Sequence, residues 1–86
     1  MPYTVKIASK AQKELKIISN PYQQKIVRAI KELAINPMPT GVKKLQGQIN
    51  QYRVRVADYR IIYEFHGTEM VILVVKVGHR QAVYKK

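Results

Sequence analysis

The sequence has no cysteine, only two histidines and only five acidic residues among its 86 residues. Without cysteine, the chain can form neither a disulfide nor a thiolate metal site. His66 and His79 lie well apart in the sequence, and they could complete a zinc site only with carboxylate ligands. We therefore expect no metal, no cofactor and no redox chemistry.

Long hydrophobic runs are missing as well. No apolar stretch approaches the ~20 residues that a membrane-spanning helix needs. Residues 1–7 lack the long apolar core of a secretory signal peptide. The sequence therefore predicts no membrane partner and, by default, a cytoplasmic location.

Positive charge is what the chain has in excess. Sixteen Lys and Arg residues against five Asp and Glu residues give a formal net charge of +11. This excess favours a polyanionic partner and salt-sensitive association, although a solvated lysine-rich surface is the simpler alternative. The length suits one compact domain that buries roughly 60–68% of its unfolded surface. We predict a single domain over residues 1–86.

The first half of the chain predicts a strand followed by a helical hairpin. Residues 3–7 alternate with a period of two, which is typical of a strand. Ser9 stands three residues before Gln12 and predicts a capping box at the start of a first helix. The Asn-Pro pair at residues 20–21, with Gln23 completing a second box, predicts the start of a second helix. A stretch with two prolines ends that helix.

The second half changes to the period of strands. Strands are predicted at residues 52–56, 59–65 and 70–77, separated by segments of turn length. The last of these is apolar on both faces, which indicates an interior position in the sheet. The predicted fold class is α+β: an N-terminal strand, a helical hairpin and an antiparallel meander, in the order β-α-α-β-β-β. The hairpin can cover one face of the sheet and leave the other open.

Four of the five arginines cluster in this second half, and only Arg28 lies outside it. Arg53 and Arg55 are two residues apart on a predicted strand and therefore share a face. Arg60 follows on the next strand and Arg80 after the last one. The planar fork of arginine suits phosphate oxygens, so the cluster predicts a site for a nucleic-acid backbone. For the first two arginines, ordinary protection of an edge strand is the alternative.

Four sequence blocks together resemble the signature motifs of the RelE toxins of bacterial and archaeal toxin–antitoxin systems. They lie at residues 44–47, 52–56, 58–63 and 77–84. The resemblance runs over the whole chain and implies the RelE fold. The related ParE toxins, which inhibit DNA gyrase without cutting RNA, share the strand that carries tyrosine and arginine. The distinction between the two branches therefore depends on the catalytic residues.

The resemblance implies a metal-independent endoribonuclease that cleaves messenger RNA in the ribosomal A site and is held inactive by a cognate antitoxin. A ribose 2′-oxygen attacks the adjacent phosphorus, which requires a base and cations for the developing charge. By family analogy, Tyr84 is the base and Arg80 stabilises the leaving oxygen. Arg60 binds the scissile phosphate. The residues predicted to contact RNA are Arg53, Arg55, Lys44 and His79.

Several alternatives remain open at this stage. The chain could be a ParE-like gyrase inhibitor without chemistry, or a nonenzymatic RNA-binding module. Tyr84 could pack its ring on the sheet instead of acting as a base. Tyr52 and Tyr59 could stack RNA bases, whereas Tyr63 shares a face with Ile61 and is predicted to belong to the core.

Overall fold

The computed structural model describes residues 2–79, so the predicted site residues Arg80 and Tyr84 lie outside the described part of the chain. The elements are β1 (Thr4–Ile7), α1 (Ser9–Lys16), α2 (Tyr22–Leu33), β2 (Lys43–Lys44), β3 (Gln51–Val56), β4 (Tyr59–His66) and β5 (Val71–His79). The predicted α+β class and β-α-α-β-β-β order are confirmed, with the two-residue strand β2 as an addition. Within residues 2–79, neither helix is long and apolar enough to cross a membrane.

The strands form one mixed sheet in the order β1-β5-β4-β3-β2. β1 runs parallel to β5, and the other neighbouring pairs are antiparallel. β5 lies between β1 and β4, as its apolar residues on both faces predict. A parallel pair needs a crossover connection, and the chain between β1 and β5 includes the helical hairpin. β2 was not predicted because two residues are too few to show a periodicity.

Helix α1 begins without the predicted capping box. Ser9 is its first residue, and the N-cap residue Ala8 has no side-chain hydrogen bond to the helix. The side chain of Gln12 donates from Nε2 to the carbonyl oxygen of Ile7 at 2.8 Å. The prediction was wrong because β1 ends at Ile7 and the helix follows at once, which places Ser9 one position too late to cap it.

Helix α2 also begins without its predicted box. Pro21 occupies the N-cap position, and no side chain caps the helix there. Gln23 instead donates from Nε2 to the carbonyl oxygen of Leu15 at 3.0 Å. The side chain that was expected to close a box therefore joins the two helices of the hairpin.

The helical hairpin covers one face of the sheet. The core residues from the sheet are Ile61, Tyr63, Ile72, Val74 and Val77, and those from the helical region are Ala11, Ile18, Ile26, Ile30 and Leu33. The register of β4 against β5 shifts between Ile62 and Tyr63. This irregularity, a β-bulge, adds one residue to β5 and so keeps both Val74 and Val77 on the covered face.

Tyr63, in the core, is hydrogen-bonded to the loop after α2. The hydroxyl of Tyr63 donates a hydrogen bond to the carbonyl oxygen of Pro37. Burial, together with the neighbouring Tyr52, raises the pKa of Tyr63 to about 12. Tyr63 is fully buried, so the predicted core position is confirmed and the phenol is satisfied as a neutral donor.

Candidate nucleic-acid interface

The strand register places four cations on the face of the sheet opposite the helices. Arg53 stands opposite Lys43 of β2, and Arg55 stands opposite Arg60 of β4. Residues directly opposite each other on paired strands share a face. The intervening residues of β3 and β4, such as Ile61, point to the helix-covered side. The sequence of alternating arginine and valine therefore separates charge from core across the thickness of one sheet.

These side chains line a cleft of about 350 Å³, which we call the basic cleft. Its described lining residues are Thr40, Gly41, Lys43, Arg53, Arg55 and Arg60. None of these lining residues is acidic. Arg60 is only 6% exposed, so its side chain lies at the base of the cleft, whereas Arg55 is exposed at its edge. Like charges directly opposite each other are destabilising, so an anion between Arg55 and Arg60 would relieve their repulsion.

A loop that the sequence analysis did not assign to the site forms one wall of the basic cleft. Thr40 and Gly41 precede β2, and Gly41 has a φ of +88°, a conformation that L side chains rarely adopt. Lys43 joins the cleft because its strand pairs with β3 at Arg53. No local signal could have identified these residues, because their place depends on how the loop folds back onto the sheet.

Lys44, a predicted RNA contact, does not line the basic cleft. It stands opposite Tyr52 in the register and therefore belongs to the other face of the sheet. It borders a separate surface depression formed by the loop at residues 45–49. The adjacent lysine, Lys43, occupies the cleft position instead.

His79 also lies apart from the arginines. It stands opposite Tyr59 in the register, with the two rings 5.6 Å apart in an edge-on arrangement. It lines a second, more apolar cleft of about 330 Å³ together with Glu14 and Ile17 of the α1 region. The β-bulge explains this position, because an uninterrupted β5 would have placed His79 on the face of Arg60.

The two tyrosines considered for base stacking lie on the covered face. The ring of Tyr52 stacks on that of Tyr63 with centroids 6.0 Å apart. The ring of Tyr59 lies 5.7 Å from that of Tyr22 in α2. These rings pack with protein and not beside the arginines, so the described structure brings no tyrosine into the lining of the basic cleft.

The open face also carries a carboxylate, that of Glu64, further along β4 from Arg60. Glu64 accepts hydrogen bonds from Gln51 Nε2 at 3.2 Å and contacts His66 Nε2 at 2.9 Å. The hydrogen bond with His66 is the main cause that lowers the pKa of Glu64, and Gln51 adds to it against the opposing effect of burial. Within residues 2–79, no group of three His, Asp or Glu residues could hold a metal ion.

Comparison with known proteins identifies the family. The sequence model described as "ParE toxin of type II toxin-antitoxin system, parDE" matches residues 5–84. The toxin RelE3 of Methanocaldococcus jannaschii is 32% identical over 76 residues, which cover 84% of each chain. The RelE–RelB complex from Pyrococcus horikoshii OT3 contains a chain with a TM-score of 0.82 and 30% identity, covering 93% of this chain and 97% of that one.

A more distant structure has the same fold. The intact RelBE toxin–antitoxin complex of Escherichia coli includes a chain with a TM-score of 0.78 and 22% identity, covering 90% of this chain and 95% of that one. At this identity the likeness concerns the fold alone. The match to the family model over nearly the whole chain and the identity to RelE3 carry the assignment, and they confirm the resemblance seen in the sequence. The chain belongs to the RelE/ParE superfamily of toxins of type II toxin–antitoxin systems.

Proposed function

We propose that this toxin is a metal-independent endoribonuclease that cleaves messenger RNA in the ribosomal A site. The observation that carries the proposal is the basic cleft, in which Arg53, Arg55, Arg60 and Lys43 converge on an open sheet face. Its volume of about 350 Å³ is of the size of small-ligand sites. Phosphate oxygens match the geometry of such guanidinium forks.

Burial distinguishes the roles that we assign to the three arginines of the basic cleft. When the 2′-oxygen attacks phosphorus, negative charge grows on the phosphoryl oxygens, and fixed cations stabilise it most strongly where water is excluded. Arg60 is the most buried of the three, and we assign it to the scissile phosphate. Arg53 and Arg55 lie nearer to solvent, and we assign them to holding the flanking backbone.

Two further groups of the proposed site, the base and the group that stabilises the leaving oxygen, belong to residues outside the described part of the chain. Tyr84 is assigned to remove the proton of the 2′-hydroxyl, and Arg80 to stabilise charge at the departing 5′-oxygen. A tyrosine phenol ordinarily has a pKa near ~10, so this role requires neighbouring cations that favour the phenolate. The arginines of the proposed site are the candidate cations.

Two partners follow from the proposal. Solved relatives from Pyrococcus horikoshii and Escherichia coli are complexes of RelE with RelB, and we propose that a cognate antitoxin binds this chain. The ribosome is the second partner. A site built from backbone-binding cations needs help to bend RNA into the geometry for attack, and ribosomal RNA can supply that constraint.

A ParE-like inhibitor of DNA gyrase is the second candidate function. The observation that favours it is that the matching family model is described as a ParE toxin. The basic cleft would then serve to bind a partner and would not cleave RNA. A nonenzymatic RNA-binding module would use it in the same way.

Single-turnover cleavage of messenger RNA separates these candidates. We expect the purified toxin to cut messenger RNA on programmed ribosomes and to cut the same RNA much more slowly without them. The new ends should be a 2′,3′-cyclic phosphate or 3′-phosphate and a 5′-hydroxyl, since the 2′-oxygen is the nucleophile. Equal cleavage of free RNA would remove the ribosome from the mechanism, and gyrase inhibition without cleavage would favour the ParE-like function.

Tyr84→Phe tests the proposed base. Phenylalanine keeps the ring and removes only the phenol oxygen, so ribosome binding should persist. Cleavage should fall by about 10²–10⁴-fold, the usual contribution of a positioned acid or base. A rate near that of the parental protein would refute the assignment.

A further inference from the structure

The second half of strand β5 has a strand neighbour on one side only. β1 pairs with residues 71–74, and Ala8 N then donates to Val74 O at 2.8 Å. Residues 76–79 pair with β4, and no other described strand lies beside them. Val77 is only 1% exposed, and a backbone N–H buried there requires a partner.

A carboxylate of helix α1 takes the place of the missing strand. Glu14 Oε1 accepts a hydrogen bond from Val77 N at 2.9 Å, and Glu14 Oε2 accepts one from Lys76 Nζ at 3.2 Å. The side chains of Glu14 and Lys76 are 22% and 30% exposed. Hydrogen bonds to an ionised acceptor are stronger than neutral ones, and partial removal from water reduces their screening. Glu14 therefore fixes two consecutive residues just beyond the β-bulge.

The segment that Glu14 holds borders the proposed site. Gly78 stands directly opposite Arg60 in the register, and Arg60 lies at the base of the basic cleft. His79 is followed in the sequence by Arg80, to which we assign the leaving oxygen. A displacement of residues 76–79 would therefore alter the strand beside Arg60 and the point from which the chain proceeds to Arg80.

We propose that Glu14 is a positioning residue for RNA cleavage, which acts by fixing the end of β5 against helix α1. This inference rests on the proposed cleavage function. Glu14 is not among the described residues that line the basic cleft, so it acts through β5 and not by contact with RNA. A positioning role predicts a slower chemical step with unchanged affinity for the ribosome, because misplacement of reacting groups leaves binding intact.

Glu14→Ala and Glu14→Gln separate positioning from charge. Alanine removes the acceptor of Val77 N–H, and the single-turnover rate on saturating ribosomes should fall by about 10–10²-fold. Glutamine keeps an oxygen acceptor and should restore most of the rate, while ribosome affinity stays unchanged in both. Glu69→Ala is the matched control, since it removes the same charge from the exposed turn before β5 and should cut at the parental rate.

Amide hydrogen exchange supplies a readout that does not depend on cleavage. The Val77 amide should lose protection in Glu14→Ala and keep it in Glu14→Gln, with the amide of Ile61 protected in both. If Glu14→Ala does not fold, Glu14→Asp replaces it, because its shorter side chain keeps the charge but reaches β5 less well. Glu14→Asp should then cleave RNA more slowly than Glu14→Gln.

The outcomes distinguish the two proposals. A parental protein that does not cleave on ribosomes overturns the proposed function, and the positioning role with it, whatever the exchange at Val77 shows. A parental protein that cleaves, alongside Glu14→Ala or Glu14→Asp cutting as fast as Glu69→Ala, overturns the positioning role alone. Weaker ribosome affinity of Glu14→Ala with an unchanged chemical rate would also overturn it.

Discussion

The two faces of the sheet are made from alternate residues of the same strands, yet they carry opposite kinds of side chain. On the covered face, Ile61 and Tyr63 are fully buried against the helices. On the open face, Arg53, Arg55 and Arg60 line the basic cleft. Because side chains alternate with a period of two, a slip of one residue would exchange the faces. The apolar face therefore determines where the arginines lie.

One pair of residues on the open face opposes stability. Arg55 and Arg60 are direct cross-strand partners, and like charges in that position repel. Local choices that conflict with stability are expected at functional sites. The comparison predicts that substitutions on the covered face change the free energy of unfolding most, whereas those in the basic cleft change activity.

The largest expected effect is on the covered face. Ile61 is 0% exposed, and Ile61→Ala should lower the free energy of unfolding by about 2–5 kcal/mol. Ile62→Ala is the matched control: the same change, at the next residue, on the open face, where the side chain is half-buried. It should cost about 1 kcal/mol. Denaturant unfolding measures both, and equal losses would contradict the division between the faces.

The next effect concerns the base of the cleft. Arg60→Lys keeps the charge and most of the stem but loses the planar fork. Single-turnover cleavage should fall by about 10²-fold, the cost of removing one transition-state donor, with the free energy of unfolding little changed. Arg53→Ala and Arg55→Ala should slow cleavage less, and Arg28→Lys, at an exposed position of helix α2, should have no effect. Parental rates for Arg60→Lys would refute its assignment.

The main features of the fold could be predicted because they are periodic. Ile26, Ile30 and Leu33 of α2 recur at helical spacing, and all three are buried on one face of the helix. Alternation identified the strand that carries Arg53 and Arg55. These signals are local, since each depends on a few neighbouring residues of one element.

The missed features depend on contacts between distant parts of the chain. The β-bulge near Val75 left no trace in the sequence, because β5 is apolar on both faces there, and it moved His79 away from the arginines. Strand β2 is too short for a pattern to distinguish Lys43 from Lys44. The capping predictions failed at Ser9, where the preceding strand determined the start of the helix.

A smaller effect should distinguish the two lysines of β2. Lys43 lines the basic cleft and Lys44 belongs to the other face. If Lys43 contacts a phosphate of single-stranded RNA, Lys43→Ala should make the negative slope of log RNA affinity against log salt concentration shallower by about 0.7. Lys44→Ala removes the same charge one residue away and should leave the slope nearly unchanged. Equal changes would mean that the lysines act only through net charge.

The smallest effect lies at the acidic end of the open face. The pKa of Glu64 is lowered in the folded protein, mainly by His66 and also by Gln51. Its stabilisation is therefore present above the unfolded pKa, near the ordinary value of 4.5, and is lost as pH falls through the lower folded pKa. Partly exposed pairs contribute less than about 1 kcal/mol. In Glu64→Gln, the free energy of unfolding should therefore fall less steeply as the pH is lowered from neutral to acid (the acid limb of the curve). Denaturant unfolding at a series of pH values measures this, and cleavage should not be slower. Glu69→Gln, at an exposed turn, should leave that limb as it is in the parental protein. If the Glu64→Gln and parental curves coincide, the carboxylate contributes nothing to folding.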